Sequence, residues 1–226
     1  MSYMQKKLSL LNGRKYYKFF KRAIDVIGGA VLLVIFSPIY FTTAIAIVLD
    51  SKGPIFADVP ERIGEQGKKF KMYKFRSMIE NAHHLLRTDP RFFKLYNEYK
   101  RSSYKLKKDP RVTNVGRFIR KHSIDEIPQL LNVLKGEMSL VGPRAYYPDE
   151  LENQQKNFPQ TRRLVSKVLS VKPGITGLWQ VSGRSEVNFD KRIAMDASYV
   201  NQMSLWLDLR IILRTPLVML SGQGAV

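Results

Sequence analysis

The sequence lacks cysteine and is short of acidic residues, and both shortages narrow its chemistry. Without cysteine there is no disulfide, no cysteine-bound zinc and no thiol nucleophile, so a metal ion would need oxygen ligands or the three histidines. The 19 acidic residues face 38 lysines and arginines, which leaves a formal net charge of +19. Because 44% of the 226 residues are hydrophobic, disorder is excluded. A globular protein with an anionic partner is predicted: nucleic acid, an anionic lipid surface or a phosphate-rich substrate.

Charge is also missing from residues 26–49, a run of 24 apolar or uncharged residues. This run is long enough for a bilayer and too long for the apolar core of a signal peptide. Seven basic residues and no acid precede it within residues 1–22, and the chain after residue 50 carries 31 basic and 17 acidic residues. Because basic flanks favour the cytoplasmic side, a hairpin that returns to that side is favoured over a straight span with a kink. A buried core helix is the third alternative.

A proline in the middle of this run offers a place for the hairpin to bend. Pro38 lacks a backbone N–H, and the Ser37 hydroxyl can donate to a carbonyl that the proline leaves bare. We therefore predict a re-entrant membrane anchor over residues 1–50, broken at Ser37-Pro38. Anionic headgroups would surround its basic start, and residues 51–226 would form one compact domain.

The remaining chain predicts a mainly α-helical fold with a small β-hairpin, an α+β domain. Residues 64–67 form the hairpin loop, and residues 69–78 alternate like a strand that puts Lys74 and Arg76 on one face. Residues 79–106 are predicted to form one amphipathic helix or a pair of helices on an anionic surface. Further helices are predicted over residues 115–121, 126–134, 147–157 and 190–220. In the last of these, Trp206 indicates an amphipathic helix at a membrane surface, and a helix packed in the core is the alternative.

Residues 122–144 hold the most specific local pattern, HSIDEIPQLLNVLKGEMSLVGPR. Ser123 and Asp125 are both candidates for the N-cap of a helix. Asp125 fits better, because Pro128 then lies in the first turn, where no N–H is needed. In this interpretation Asp125 and Glu126 merely begin a helix. The competing interpretation is chemical, since a helix N-terminus favours an ionised carboxylate, the form that a carboxylate nucleophile requires.

Cations surround this acid pair in the sequence. Arg111, Arg117 and Arg120 precede it, Arg144 follows it, and the spacing of Arg117 and Arg120 puts both on one helix face. An acid pair among arginines is typical of phosphoryl chemistry, in which one carboxylate attacks phosphorus and the other binds a divalent metal ion. A solvated surface charge is the plain alternative for each arginine taken singly.

In these patterns the chain resembles the bacterial sugar transferases of the monotopic phosphoglycosyl transferase superfamily. The resemblance runs from about residue 19 to residue 220. It rests on KRAIDVIGG leading into FSP, on YKFRSM, on DPRVTNVGRFIRKHSIDEIPQLLNVLKGEMSLVGPR and on KPGITGLWQVSGRS. Such enzymes move a phosphosugar from a nucleotide sugar to polyprenyl phosphate, the first membrane step of exopolysaccharide, capsule or O-antigen assembly.

The resemblance implies roles for individual residues. Asp125 would be the nucleophile and Glu126 would help to bind Mg²⁺, while Lys74, Arg120 and Arg144 match the phosphate-contacting cations. It also implies a UDP-hexose donor, UMP as a product, polyprenyl phosphate as the acceptor, and a monotopic protein at the cytoplasmic face of the bacterial inner membrane. The segment GLWQVSGRS is most similar to members that transfer galactose or glucose 1-phosphate.

One position departs from the family pattern, and one other class of function stays open. Pro60 stands where the family usually has glutamine, two residues before Arg62, which puts the local loop in doubt. The other class is a membrane-tethered basic module that binds anionic lipid or nucleic acid without catalysis. An enzyme needs Asp125, whereas such a module does not. Of the three anionic partners, nucleic acid is then the least expected.

Overall fold

The computed structural model describes residues 3–101, 104, 106, 108–182 and 188–221. These residues are mainly helical with two small two-stranded sheets, which confirms the predicted α+β class. The helices are α1 (Tyr3–Ile35), α2 (Ser37–Asp50), α3 (Ala82–Thr88), α4 (Phe93–Arg101), α5 (Asn114–Lys121), α6 (Gln129–Lys135), α7 (Pro148–Asn157), α8 (Arg162–Val168), α9 (Phe189–Gln202) and α10 (Leu205–Ser221). The strands are β1 (Arg62–Ile63), β2 (Lys69–Phe70), β3 (Ser139–Val141) and β4 (Gly174–Thr176), and single 3-10 turns lie at Glu65–Gly67, Pro90–Phe92, Ile124–Glu126 and Pro159–Thr161.

The apolar run bends where the proline was predicted to break it. α1 gives way to α2 at Ser37, whose hydroxyl donates to the Val34 carbonyl at 2.8 Å. Pro38 leaves this carbonyl without its helical N–H donor. No single helix in the described part of the chain is long and apolar enough to cross a membrane. Lys15–Ile35 and Ser37–Asp50, bent by 60°, meet that test of length and composition together.

The polar side of α1 is docked on the rest of the chain at the start of the apolar run. Arg22 donates to the carbonyls of Val133 and Leu134 near the end of α6, at 2.7 and 2.9 Å. The buried Asp25 carboxylate accepts from the Ser139 hydroxyl and from the following main-chain N–H, both at 2.9 Å. Hydrogen bonds as well as apolar packing therefore fix α1 to α6 and β3.

A second polar cluster, here named the hairpin base, consists of Tyr17, Lys21, Tyr199 and Asp208. Asp208 of α10 accepts from Lys21 at 2.8 Å, from Tyr17 at 3.1 Å and from Tyr199 at 2.6 Å. Lys21 also donates to the Val141 carbonyl at 2.9 Å. Two of the seven N-terminal cations therefore bind protein groups: Lys21 binds Asp208 in the hairpin base, and Arg22 binds carbonyls of α6. The sequence had suggested lipid headgroups as the partners of all seven.

The β structure is smaller than predicted in one place and larger in another. β1 and β2 form the predicted antiparallel hairpin, with Arg62 opposite Phe70. The strand predicted over residues 69–78 ends at Phe70, so the prediction is wrong for the residues that follow. Their main chain forms hydrogen bonds outside any strand, for example from the Phe75 N–H to the Asp125 carbonyl at 3.0 Å. The parallel pair of β3 and β4 was not predicted, since three-residue strands leave little alternation to detect.

The predicted helices agree with the structure except where a turn divides them. Those over residues 115–121 and 147–157 are confirmed as α5 and α7. Of the single helix and the pair that residues 79–106 allowed, the structure has the pair, α3 and α4, because Pro90 begins a separate 3-10 turn. Residues 102, 103 and 105 of this range lie outside the described residues. The C-terminal helix is likewise two helices, α9 and α10, and α8 was not predicted at all.

α10 has two contrasting faces. Ile211 is 1% exposed and belongs to the main apolar core, which lies between α1, α6, β3 and α10. The opposite face leaves a row of large apolar side chains exposed: Trp206, Leu209, Leu213 and Leu217. One face of α10 therefore fits the prediction of a helix packed in the core. The other face is exposed, as the prediction of an amphipathic helix requires.

Candidate active site

The acid pair lies in a 3-10 turn that precedes α6. Ser123 has a left-handed backbone with φ of 55°, the turn Ile124–Glu126 follows, and Pro128 occupies the N-cap position of α6. The prediction that Asp125 caps this helix is therefore wrong. The inserted turn directs the Asp125 side chain towards Lys74 instead of the first N–H groups of α6.

One ammonium group joins the two acids. Lys74 Nζ lies 3.0 Å from Asp125 Oδ2 and 3.0 Å from Glu126 Oε1. The side chains of Asp125, Lys74 and Glu126 are 7%, 20% and 38% exposed, so the pair reaches from the interior towards solvent. The main-chain hydrogen bond from Phe75 to Asp125 sets Lys74 beside the acids.

Burial and charge act in opposite directions on these carboxyls. Burial raises the pKa of Asp125, the Lys74 ammonium acts to lower it, and the neighbouring Glu126 charge raises it again, so that the pKa stays above its usual value. Burial also acts to raise the pKa of Glu126, but Lys74 and two arginines outweigh burial and hold that pKa below its usual value. The Lys74 ammonium therefore stabilises the ionised form of Asp125. The sequence had suggested that a helix N-terminus would do so.

A cavity of 810 Å³ opens onto the acid pair, large enough for a ligand of cofactor size. Its apolar lining includes side chains of the hairpin and α10 besides those of the core: Leu32, Phe36, Ile39, Ile212, Pro216 and Met219. Its cationic lining consists of Arg62, Lys74, Arg76, Arg111, Arg120 and Arg144, and its aromatic and imidazole lining includes His83, Tyr99, Tyr104, Tyr147 and Trp179. Apolar, cationic and aromatic side chains thus border one cavity beside two carboxylates.

Arg144 and Arg120 are two predicted site residues that the structure brings to this cavity. The Arg144 N–H donates to Asp196 at 3.1 Å, and its guanidinium carbon lies 5.4 Å from the centroid of the Trp179 ring. Its Nε is buried and has no hydrogen-bond partner among the described residues. The charge of Arg120 acts to lower the pKa of Asp125. Both cations therefore add positive charge where an anionic substrate would meet the acids.

The other three predicted arginines have partners apart from the acid pair. Arg111 is buried and its planar fork binds the Asp109 carboxylate at 2.6 and 2.8 Å. Arg117 is exposed and bonds to Asn114 on its own helix. Arg76 closes the end of α2 by donating to the carbonyls of Ile47, Ser51, Lys52, Gly53 and Pro54. The geometry gives these arginines structural partners.

Arg62 and His83 border the cavity but were not predicted as site residues. The Arg62 guanidinium lies 3.2 Å from the centroid of the Tyr147 ring and donates to a main-chain carbonyl, and its charge lowers the pKa of Glu126. Its place opposite the inward-facing Phe70 in the hairpin is the signal that would have revealed it. Burial and nearby arginines lower the pKa of His83 to about 4, so this imidazole is neutral at physiological pH.

The acid pair fits a metal that shares its coordination with a substrate. Among the described residues no group of three or more His, Asp or Glu side chains is arranged to hold a metal ion. Mg²⁺ commonly takes one or two protein carboxylates and completes its shell with substrate phosphates and water. Asp125 and Glu126 can supply those carboxylates, with Glu126 the more exposed of the two.

The bacterial sugar transferase family matches residues 16–222, which include the acid pair, Lys74 and Arg144. The chain belongs to this family. Residues 183–185 of the GLWQVSGRS segment, which carries the similarity to hexose-transferring members, lie outside the described residues of this sugar transferase.

Three relatives illustrate the similarity of this sugar transferase. Undecaprenyl-phosphate galactose phosphotransferase of Salmonella typhimurium is 42% identical over 212 residues, 92% of this chain and 42% of that protein. Exopolysaccharide production protein ExoY of Rhizobium meliloti is 42% identical over 89% of this chain and 86% of its own length. Undecaprenyl-phosphate glucose phosphotransferase of Komagataeibacter xylinus is 39% identical over 86% of this chain and 35% of its own length. The chain spans less than half of the first and third of these proteins.

Proposed function

We propose that this sugar transferase moves a hexose 1-phosphate from a UDP-hexose to undecaprenyl phosphate and releases UMP. The product would be the lipid-linked sugar from which a surface polysaccharide is assembled. Galactose and glucose are the sugars favoured by the names of the Salmonella and Komagataeibacter relatives. A phosphosugar donor and a phospholipid-like acceptor both account for the excess of cations.

The observation that carries this proposal is the acid pair joined by Lys74 on the wall of a cavity with two kinds of lining. A nucleotide sugar needs cations for its diphosphate, and Lys74, Arg120 and Arg144 provide them. A polyprenyl chain needs apolar surface, and the hairpin and α10 provide it. An anion-binding module without catalysis does not need two carboxylates among these cations, because they weaken anion binding.

In the first step, Asp125 would attack the phosphorus that carries the sugar. A new bond forms between a carboxylate oxygen and phosphorus, the bond from phosphorus to the bridging oxygen breaks, and UMP leaves with that oxygen and its electron pair. Lys74, Arg120 and Arg144 would stabilise the charge on the phosphate oxygens. Mg²⁺, held by Glu126 with the substrate phosphates, would supply further charge neutralisation.

In the second step, an oxygen of undecaprenyl phosphate would attack the phosphorus of the phosphosugar on Asp125. The bond between phosphorus and the carboxylate oxygen breaks, and the free carboxylate returns while a diphosphate bond joins sugar and lipid. The raised pKa of Asp125 suits the first step, because a less acidic carboxylate is the better nucleophile. In the second step the carboxylate is the leaving group, and the nearby cations would stabilise the charge that it regains.

The hairpin would place this chemistry at the membrane surface. α1 and α2 would enter the cytoplasmic leaflet of the inner membrane and leave on the same side, as the bend of 60° and the basic flanks favour. The exposed face of α10, with Trp206, would lie at the level of the lipid headgroups. The phosphate of a polyprenyl lipid lies at the same level. The monotopic chain would therefore reach its acceptor without drawing the lipid out of the bilayer.

Intact-mass measurement tests the covalent step. The full chain in detergent, mixed with Mg²⁺ and either UDP-galactose or UDP-glucose, should gain the mass of one hexose phosphate and release one equivalent of UMP. Undecaprenyl phosphate added afterwards should remove the adduct. Asp125→Asn should form no adduct, whereas Glu152→Gln, which changes an exposed acid that does not border the cavity, should behave as the parent chain does.

The outcomes separate the alternatives. UMP release with no adduct at any time would indicate direct transfer and overturn the covalent step. Binding to anionic vesicles without UMP release from any nucleotide sugar would instead favour the membrane-tethered module.

The absence of cysteine allows a clean test of the hairpin. Single cysteines replacing Lys15 and Lys52, which are exposed on either side of the hairpin, should both resist a membrane-impermeant maleimide applied to intact cells. Both should react after the membrane is opened. Labelling of one cysteine from outside would overturn the re-entrant path.

A further inference from the structure

The Lys74 ammonium stands where a divalent cation would bind. Its nitrogen lies 3.0 Å from Asp125 Oδ2 and 3.0 Å from Glu126 Oε1. Mg²⁺ binds carboxylate oxygens at about 2.1 Å, so an ion on either oxygen would lie within about 5 Å of Lys74 Nζ. Two cations that need the same oxygens in so small a space repel and displace one another.

We infer that Lys74 and Mg²⁺ compete for the acid pair, and that Lys74, once displaced, turns to the phosphates of the donor. This inference rests on the proposed function for the identity of the donor. In this exchange Lys74 has two successive sets of partners, first the two carboxylates and then phosphate oxygens. The family resemblance implied only the contact with phosphate.

Lys74 has the freedom that such an exchange requires. The two carboxylates are the hydrogen-bond and ion-pair partners that the described residues offer its ammonium. Its flexible four-carbon stem borders the cavity, so the ammonium can move without repacking the core. Arg76, two residues further along, is by contrast held by five main-chain carbonyls and has no such freedom.

The exchange would also time the reaction. While Lys74 bonds to Asp125 Oδ2, that oxygen is engaged and the nucleophile is less reactive. Release of Lys74 frees this oxygen and at the same moment places a cation at the phosphate under attack. The acid pair therefore has a cation beside it at every stage, first Lys74 and then the metal ion, and the two carboxylates never face one another without a positive charge between them.

Lysine labelling of the parent chain tests the exchange directly. A brief pulse of an amine-acylating reagent at fixed pH and ionic strength, followed by peptide mass spectrometry, reports how accessible each ammonium is. Saturating Mg²⁺ should raise the labelling of Lys74 several-fold. Lys21 is the matched control, since it pairs with Asp208 at 2.8 Å and its side chain is 17% exposed against 20% for Lys74. Its labelling should not change.

Mg²⁺ affinity in the absence of any sugar donor provides the second readout. Lys74→Gln should bind Mg²⁺ about tenfold more tightly or better, because a competing charge within hydrogen-bond distance is removed. Arg120→Gln removes a charge that acts on Asp125 more weakly than the Lys74 charge does, so its effect should be much smaller and should diminish at high salt. Lys74→Arg keeps a competing cation and should leave the affinity within about threefold of the parent value.

The outcomes decide the inference without reference to transfer. Unchanged or reduced labelling of Lys74 with Mg²⁺, or equal affinity gains in Lys74→Gln and Arg120→Gln, would overturn it. If Lys74→Gln does not fold, the labelling of the parent chain still decides. Neither measurement uses a donor, so a failure of the covalent step leaves these results standing. The reverse also holds, because adduct formation does not require the exchange.

Discussion

Two lysine–aspartate pairs of nearly equal exposure have opposite roles in this molecule. Lys21 and Asp208 lie 2.8 Å apart in the hairpin base, and Lys74 and Asp125 lie 3.0 Å apart in the site. Both aspartate side chains are 7% exposed, so neither distance nor burial separates the pairs. What separates them is the number of donors for each carboxylate.

In the hairpin base, donors outnumber carboxylates. Asp208 accepts from an ammonium and two tyrosine hydroxyls, and Lys21 has a second acceptor in the Val141 carbonyl. In the site, two carboxylates share one ammonium. A fully bonded carboxylate stabilises the fold, whereas one that shares its donor remains available to a ligand.

The largest expected effect is on activity and falls on the site alone. Asp125→Asn should lower the rate of UMP release by at least about a thousandfold, because an amide cannot replace the carboxylate nucleophile. Asp208→Asn, assayed at a temperature where it is folded, should keep activity within about tenfold of the parent. The release of UMP from the UDP-hexose measures both. An Asp125→Asn protein with a tenth of the parental rate would contradict the assigned nucleophile.

The stability of the same two variants should show the reverse order. Asp208→Asn should lower the free energy of unfolding by about 3 kcal/mol, because it leaves the Lys21 ammonium buried without its counter-ion. Asp125→Asn should leave that free energy unchanged or higher, since burial opposes the charged form of Asp125. Denaturant unfolding in one detergent measures both, with the exposed Asp58→Asn as reference. Equal losses in the two variants would remove the distinction between the clusters.

Asp196 has two donors for its carboxylate, fewer than Asp208 and more than Asp125. The expected effect of replacing Asp196 depends on pH. One of its oxygens accepts from Arg144 and Tyr146 at 3.1 and 2.9 Å, while the other is buried with no partner among the described residues. Burial raises the pKa of Asp196 from 3.8 to about 7. Because the folded-state pKa lies above the unfolded one, the protonated form stabilises the fold at low pH, and this contribution is lost as pH rises through about 7.

Unfolding of Asp196→Asn measures that contribution. The amide keeps an oxygen for both donors but does not titrate. The stability of the parent relative to this variant should fall between about pH 4 and about pH 7, by up to about 1.4 kcal/mol per pH unit, and should level off at higher pH. Parallel stability curves over this range would show that Asp196 titrates near its unfolded value.

The smallest expected effect lies at the tip of the hairpin, far from the hairpin base. Ser37→Ala removes one exposed hydrogen bond, from the Ser37 hydroxyl to the Val34 carbonyl. In detergent, where water can replace it, the loss should be about 0.5–1 kcal/mol, measured by thermal unfolding. A loss as large as that of Asp208→Asn would show that the tip, and not only the base, holds the hairpin together.

Local features were predictable because they depend on neighbours in sequence. The break at Ser37-Pro38, the hairpin between β1 and β2, and the helices α5 and α7 all follow from residues within one or two turns. The errors arose where a turn intervened unseen. The helix predicted over residues 190–220 is divided into α9 and α10, and the 3-10 turn at Ile124–Glu126 displaced Asp125 from the N-cap of α6.

The site was predictable in its acids and only partly in its cations. The motif that contains Asp125 and Glu126 was found from the sequence, and Lys74 and Arg144 were named through the resemblance. Arg62 was missed, and Arg76 and Arg111 turned out to bind main-chain carbonyls and Asp109. An alternating pattern shows which residues share a face, but it does not show what packs against that face.

By itself, the sequence determined the excess of positive charge, the apolar run with its proline break, and the acid pair, since composition and local pattern express all three. Only the tertiary structure decided that Lys74 meets the acids while Arg76 closes α2, although the two lie on one predicted strand. It likewise decided that Lys21 serves the fold, because Asp208 approaches it from 187 residues away. A charge has a role only through its partners, and those partners come together when distant segments pack.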